Sequence, residues 1–416
     1  MTKSKDSITK DIKSPPFFYG YIIVIVCFLM MITGWGLFYI YGVFFGPISN
    51  EFGWNHALTS GAYSLAILVS GVLGIFAGRL SDRFGPRVVL VFCALMLGAG
   101  YALMALVHNI WQYYLIYGVV ISTGVSGFWS PLISTVARWF IGRRGLMTGI
   151  VSGGISFGTF LLPPLVTQLI TVWDWRITYA VIGGAVMVIV LIAAQFLKPN
   201  PQIMGLEAYT KTRTRPNYQG KNKDYSFKAA AKTRQFWMVG MVYLCFGAAQ
   251  MTIMVHIVPH LTGTGFSAIA AASILSIIGG VSFAGRIVMG IITDKIKAKF
   301  SLIMCLSLLT ISLLGLQWAD TPTRLYLFAV VFGFGYGGLS CLQSLISAEL
   351  FGLTSLGIIT AVFSLSFNIG GSIGPFLAGY VYDINQSYYW AFTACFIIIA
   401  AALVISLGLK PPRNTG

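Results

Sequence analysis

The chain has 416 residues, of which 57% are hydrophobic and only 9% charged, against about 25% charged in an ordinary soluble domain. So few charges cannot clothe a water-facing surface, which excludes a soluble enzyme or binding module. The formal charge of +16 would suit a nucleic-acid partner only if it lay on one soluble face, and it does not.

In chain order, the first 16 residues are polar and carry Lys3, Lys5, Lys10 and Lys13. The apolar run that opens at Phe17 is too long for a secretory-signal core and long enough to span a bilayer. Spans are predicted at 17–47, 57–78, 88–107, 111–137, 145–170 and 177–197. A basic, polar stretch at 198–234 follows, then spans at 235–261, 267–293, 300–318, 323–348, 355–381 and 388–409. Each reaches the roughly 20 residues that cross a bilayer. The predicted class is an all-α integral membrane protein of twelve transmembrane helices, embedded in lipid. Its parts are a tail (1–16), a six-helix bundle (17–197), a linker (198–234), a second bundle (235–409) and a tail (410–416). The 47 glycines would be costly in soluble helices but let membrane helices approach closely. The six cysteines lie singly inside apolar segments and suggest neither a disulfide framework nor a metal site.

Lys and Arg set the orientation. Twenty-four of them fall on one side: the first tail, the loops at 79–87, 138–144 and 295–299, the linker and the last tail. The other side holds two, Arg176 and Arg324. The positive-inside rule puts both termini and the linker in the cytoplasm, in the cell inner (plasma) membrane. The basic charge is thus a topogenic signal and a contact for anionic lipid, with no role in nucleic-acid binding.

The chain also repeats itself. Gly78-x3-Asp82-Arg83 recurs as Gly290-x3-Asp294-Lys295, 212 residues later. Gly145, Gly158 and Pro163 recur at the same offset as Gly357, Gly370 and Pro375. Five positions in one register indicate two six-helix pseudo-repeats. Duplicated halves are the pattern of secondary transporters, whose substrate site lies near the midplane between them.

The run Gly78-Arg79-Leu80-Ser81-Asp82-Arg83-Phe84-Gly85-Pro86-Arg87 resembles the loop signature of the major facilitator superfamily, with a degenerate copy at 290–299. The resemblance covers the whole chain and implies the major facilitator fold and alternating access. Asp82, Arg79, Arg83 and Arg143, with Asp294 in the second copy, are then the expected gate. Within the superfamily the chain is similar to the monocarboxylate transporter family, next to the oxalate/formate antiporters. The matching residues are 34–47 at the end of helix one, Arg138-Trp139-Phe140, Arg143-Arg144-Gly145-Leu146-Met147-Thr148-Gly149, Trp173-x-Trp175-Arg176 and Gly285-Arg286. Two departures matter. Tyr39 stands where animal monocarboxylate carriers have an essential lysine, and Ser282 where they have an Asp one turn before the helix-eight arginine. Segment 355–381 lacks the lysine of the oxalate carriers, which favours a monoanion over a dianion.

Arg286 is the sharpest candidate. It stands eight residues before Asp294, roughly 12 Å into the bilayer at about 1.5 Å per residue. An Arg at that depth costs at least about 2.5 kcal/mol on insertion scales, and Ser282 and Gly290 one turn away offer no neutralising charge. The missing partner is then the substrate, because a guanidinium presents a planar fork that matches one carboxylate. Its other reading is a structural arginine capped by backbone carbonyls. Tyr39, Tyr117, Gln250, His256, Ser282, Tyr336, Phe363, Phe367 and Asn368 are the further candidate lining residues. Each could equally serve packing, and His256 could also carry a proton. Asp383, Asp320, Asp174 and Glu51 fall at the outer ends of spans and read as interfacial.

No nucleophile elbow, Walker motif, zinc spacing or dinucleotide fingerprint is present, so neither an enzyme nor a cofactor is expected. Without an ATP site the driving force is a gradient. A cation carrier would want a mid-membrane acid, and a sugar carrier has no use for an unpaired arginine. The expectation is a transporter of a small monocarboxylate (lactate- or pyruvate-like) working as a monomer by proton-coupled symport. Its alternatives are a carboxylate exchanger of oxalate/formate type and a carrier of another small organic anion.

Overall fold

A computed structural model describes residues 18–141, 143–204, 225–352 and 355–409, with all their side chains except those of Arg144 and Asp294. Eleven helices among these residues are long and apolar enough to cross a membrane. They are α1 (Gly20–Phe52), α2 (His56–Phe84), α3 (Pro86–Met104), α4 (Ile110–Trp139), then Arg144–Phe196, α7 (Arg234–Gly263), α8 (Ala268–Ile296), α9 (Ala298–Leu316), α10 (Pro322–Phe351), α11 (Leu356–Asn385) and α12 (Tyr389–Leu407). The 53-residue helix Arg144–Phe196 breaks at Asp174, whose φ of 71° and ψ of 158° are not helical. That break separates α5 (144–173) from α6 (175–196) and makes twelve spans, as the sequence predicts. Most of the helices run a few residues past the apolar core that hydropathy detects, and α2, α4, α7 and α8 begin at polar side-chain caps. Asn55 accepts from the Leu58 N–H at 2.8 Å, and Ser267 caps α8 at the equivalent place.

The duplication is written into the backbone. Helices α2 and α8 both have 29 residues and α3 and α9 both have 19, each pair offset by 212. Positive-φ turns recur at the same interval: Gly53 and Gly265, Gly85 and Lys297, Asp174 and Gln386. A glycine suits such a turn because it has no Cβ to clash. Asp174, Lys297 and Gln386 hold a positive φ with a side chain in place.

Within each half the helices pack on small residues. Gly36 of α1 and Gly158 of α5 meet so closely that a Cβ on Gly36 would lie 2.9 Å from the Gly158 Cα. The counterpart in the second half is Gly370 of α11, where a Cβ would lie 1.9 Å from the Leu244 carbonyl of α7.

Two helix pairs form most of the seam between the halves, α2 with α11 and α5 with α8, and α1 meets α7 at Gly42, where a Cβ would lie 2.7 Å from the Met254 carbonyl. One face of the molecule carries Arg79, Arg83, Arg87, Arg138 and Lys295 and is called the basic face below. On the opposite, far face, Asp383 of α11 accepts from the His56 and Ala57 N–H groups of α2, each at 2.8 Å. Deeper in, the Ser276 hydroxyl donates to the Phe160 carbonyl at 2.7 Å and Ser282 to Ser156 at 2.8 Å. Phe283 covers Gly153, and Asn368 covers Gly71. The seam ends there. One and two turns further along the same stripe of α5, a Cβ on Gly149 or Gly145 would meet nothing within 4 Å, and the same is true of Gly290 on α8 and Gly357 on α11. The halves are therefore closed on the far face and parted on the basic face.

Candidate functional site

Arg286 sits where the seam opens. It follows Ser282, the last seam-sealing hydrogen bond of α8, by four residues on the same helical face, a rise of about 6 Å. Its guanidinium carbon lies 5.8 Å from the centre of the Tyr336 ring of α10, and Nη2 reaches the Tyr336 hydroxyl at 3.5 Å. That contact is at the limit of a hydrogen bond. The Nε–H is buried without a partner, and no carboxylate pairs with the guanidinium among the described residues. The arginine lies within α8, and among the described residues neither an acid nor a backbone carbonyl takes its guanidinium.

The other half supplies Tyr39. Helix α1 is not continuous: a π-helical turn at Ile32–Gly36 and a break at 39–40 interrupt it before the chain resumes as a regular helix at Tyr41. Single π-helical turns often mark functional sites because they re-aim side chains. Here the break sets Tyr39 within electrostatic reach of both Arg286 and Tyr336. Cys341 of α10 is also within reach of the guanidinium. Phe246 of α7 continues the wall, 6.4 Å from Tyr336 and 5.5 Å from Phe367, centre to centre. The result is one permanent cation against tyrosine hydroxyls and phenylalanine faces.

The remaining candidates are placed as follows. Asn368 and Phe367 are half-buried on α11 where the seam ends. Ser282 is fully buried, donating to Ser156 and to the Gly279 carbonyl, and it ties α8 to α5. Phe363 stacks on Tyr243 nearer the basic face. Tyr117 is buried in an N-terminal cluster with Phe38, Tyr41 and Tyr113. Gln250 faces the interior of the second half, against Leu309, Phe332 and Ile399. His256 is fully buried near the far face. Its Nε2 lies 2.9 Å from the Pro375 carbonyl and its Nδ1 3.1 Å from the Tyr388 hydroxyl. A carbonyl only accepts, so Nε2 carries the proton and Nδ1 accepts from Tyr388, which uses both ring nitrogens of a neutral imidazole.

At the expected gate, Arg138 donates to Asp82 at 2.6 Å. This pair joins α2 to α4 within the first half. Arg79 is exposed, Arg83 lies over the Phe84 ring at 5.1 Å, and Arg143 is exposed. The Asp294 side chain lies outside the described residues. Of the acids expected to be interfacial, Asp320 pairs with Arg324 on the surface. Glu51 and Asp383 do more: Glu51 binds Trp175 and Arg176, and Asp383 crosses the seam. Sequence reasoning missed two residues near the site. The Trp35 indole N–H is buried without a partner beside Tyr39, and Tyr63 of α2 reaches across the seam to the Met251 sulfur at 3.5 Å. Neither carries a sequence signal, since an aromatic in an apolar span reads as packing.

A twelve-span helical protein in two repeats, sealed on one face and parted on the other, has the architecture of a membrane transporter. The model of the Major Facilitator Superfamily matches residues 24–365 and 305–416, so the chain belongs to that superfamily and is a transporter with no enzyme activity. It is 25% identical to Monocarboxylate transporter 12 of Xenopus laevis over 100% of this chain and 95% of that protein. It is 24% identical to Monocarboxylate transporter 13 of Bos taurus over 94% of this chain and 88% of that one. Among solved structures, it superposes with a TM-score of 0.70 on a bacterial homologue of the human lysosomal transporter Spinster in its inward-facing, unoccupied conformation. That likeness covers 95% of both chains at 15% identity.

Proposed function

We propose that the protein carries a small monocarboxylate across the cell inner membrane by alternating access, with Arg286 as the group that binds the carboxylate. The observation that carries this reading is the half-buried Arg286, whose buried Nε–H has no partner. A buried polar group is normally satisfied, and a buried cation more stringently so. A carboxylate accepts from Nε and Nη2 together through the planar fork. One cation suits one carboxylate, and the aromatic walls suit a short apolar remainder such as that of lactate or pyruvate. The names of the monocarboxylate relatives support the same class.

The basic face is read as cytoplasmic, with both termini and the linker inside. The halves then part inward, and Asp82 with Arg138, beside Arg79, Arg83, Arg143 and Asp294, forms the inner gate. We take proton symport by a monomer as the transport mode. The sequence holds no acidic residue deep in a span, so the proton travels with the substrate or on His256. One observation favours exchange as a second reading: an empty carrier returning with Arg286 unpaired must carry a bare buried charge, and a countersubstrate removes that cost.

Vesicles containing the purified protein separate these. Under symport, labelled lactate enters unloaded vesicles and enters faster when the outside is acidified. Uptake only into vesicles preloaded with a carboxylate, indifferent to pH, makes the protein an exchanger. No uptake of lactate, pyruvate or formate under either condition removes the monocarboxylate reading.

A further inference from the structure

The first turn of α2 is completed by the opposite half of the molecule. A helix begins with four N–H groups that have no partner inside it. In α2 the Thr59 N–H makes the first regular helical bond, to the Asn55 carbonyl, and of the three helical N–H groups before it that of Leu58 is taken by the Asn55 side chain. The other two, of His56 and Ala57, go to Oδ1 and Oδ2 of Asp383, each at 2.8 Å. The His56 ring adds Nδ1 at 3.4 Å from Oδ1 and packs on Tyr382, 4.0 Å between centres. Below this contact, Gly379 of α11 leaves room for α2: a Cβ there would lie 2.6 Å from both the His56 carbonyl and the Ser60 hydroxyl.

We infer that Asp383 is the latch of the far-side gate. Its carboxylate caps α2 while the far face is closed and must let go when that face opens. A carboxylate at the N-terminus of a 29-residue helix meets two donors and the positive end of the helix dipole at once. Both partners lie at the rim, with side-chain exposures of 25% for His56 and 21% for Asp383. Water can therefore take over each group as the latch separates, which makes the contact strong enough to hold and cheap enough to release. The contact is set apart from Arg286 by the length of the sealed seam, so it acts on the conformational equilibrium and not on the substrate.

The test needs neither substrate nor a known orientation. Ser60 is buried in the sealed seam, and Ser60→Cys places a thiol there that a maleimide reaches only when the far side opens. With the protein in lipid nanodiscs, Asp383→Asn should raise the rate of labelling about tenfold, which corresponds to about 1.4 kcal/mol. Asp383→Glu, which keeps both oxygens and the charge, should restore most of the wild-type rate. His56→Pro is the independent variant. It removes one N–H and the imidazole from the first helical position, where proline is tolerated and the preceding Asn55 is already extended. It should raise labelling as well, and the double variant should fall short of the product of the two effects because both break one contact. Should Asp383→Asn fail to insert, His56→Pro decides alone. Unchanged or slower labelling in a correctly folded variant overturns the latch.

Discussion

Replacing Arg286 by glutamine removes the charge and the fork while keeping most of the volume, and the structure sets opposite signs for its two consequences. Among the described residues the guanidinium makes one hydrogen-bond contact, at 3.5 Å, and its buried Nε–H has no partner. An arginine at such depth costs at least about 2.5 kcal/mol, so the neutral variant should unfold at a higher temperature than wild type. With substrate the sign reverses. Truncating one partner of a desolvated, hydrogen-bonded charge pair costs about 2–5 kcal/mol, or roughly thirty-fold to several thousand-fold in affinity. Arg286→Lys keeps a cation but replaces the fork with a point charge, and a loss of about ten- to thirty-fold is expected. The assay is paired: thermal unfolding of the purified protein with and without lactate, and initial uptake rates into vesicles. Arg286→Gln should gain stability, lose the shift caused by lactate, and fail to transport. Near wild-type uptake of lactate, pyruvate or formate by Arg286→Gln would refute the assignment. A destabilised empty variant would show that the guanidinium is a structural member after all.

Three further outcomes follow from the geometry. His256→Ala should lower stability by about 2–4 kcal/mol, since it orphans the Tyr388 hydroxyl and the Pro375 carbonyl, and should leave the pH response of uptake intact; a flattened pH profile at unchanged stability would make the imidazole the proton carrier. Asp82→Asn weakens the 2.6 Å pair with Arg138 and should slow turnover while leaving apparent affinity within a few-fold, which initial-rate measurements at varied substrate would check. Gly370→Ala drives a methyl to 1.9 Å from the Leu244 carbonyl and should cost at least about 1–3 kcal/mol or prevent insertion, whereas Gly149→Ala, with nothing within 4 Å, should be neutral; equal melting temperatures for the two would refute the packing account.

The sequence by itself determined the class, the repeat and the lone arginine, because each is a one-dimensional property. Lipid demands unbroken apolar runs of fixed length, so the spans can be counted, and duplication leaves its register at 212 residues whatever the packing. Arg286 is legible for the same reason: its depth follows from distance to Asp294, and charge neutralisation along a helix needs only the residues one turn away. What surrounds it is set by helix packing and was not legible. Tyr39 joins the site because α1 breaks beside it, and a π-helical turn has no sequence signature here. Gln250 and Tyr117 were as plausible in the sequence, yet they face the interiors of their own halves, because rotation about a helix axis is decided by neighbouring helices and not by spacing. Asp383 shows the limit most clearly. At the end of a span it reads as one more interfacial acid, and only the approach of α2 from 326 residues away turns its two oxygens into the cap of another helix. Hydrogen bonds between distant parts of a chain depend on the final arrangement of the halves, which no local pattern encodes.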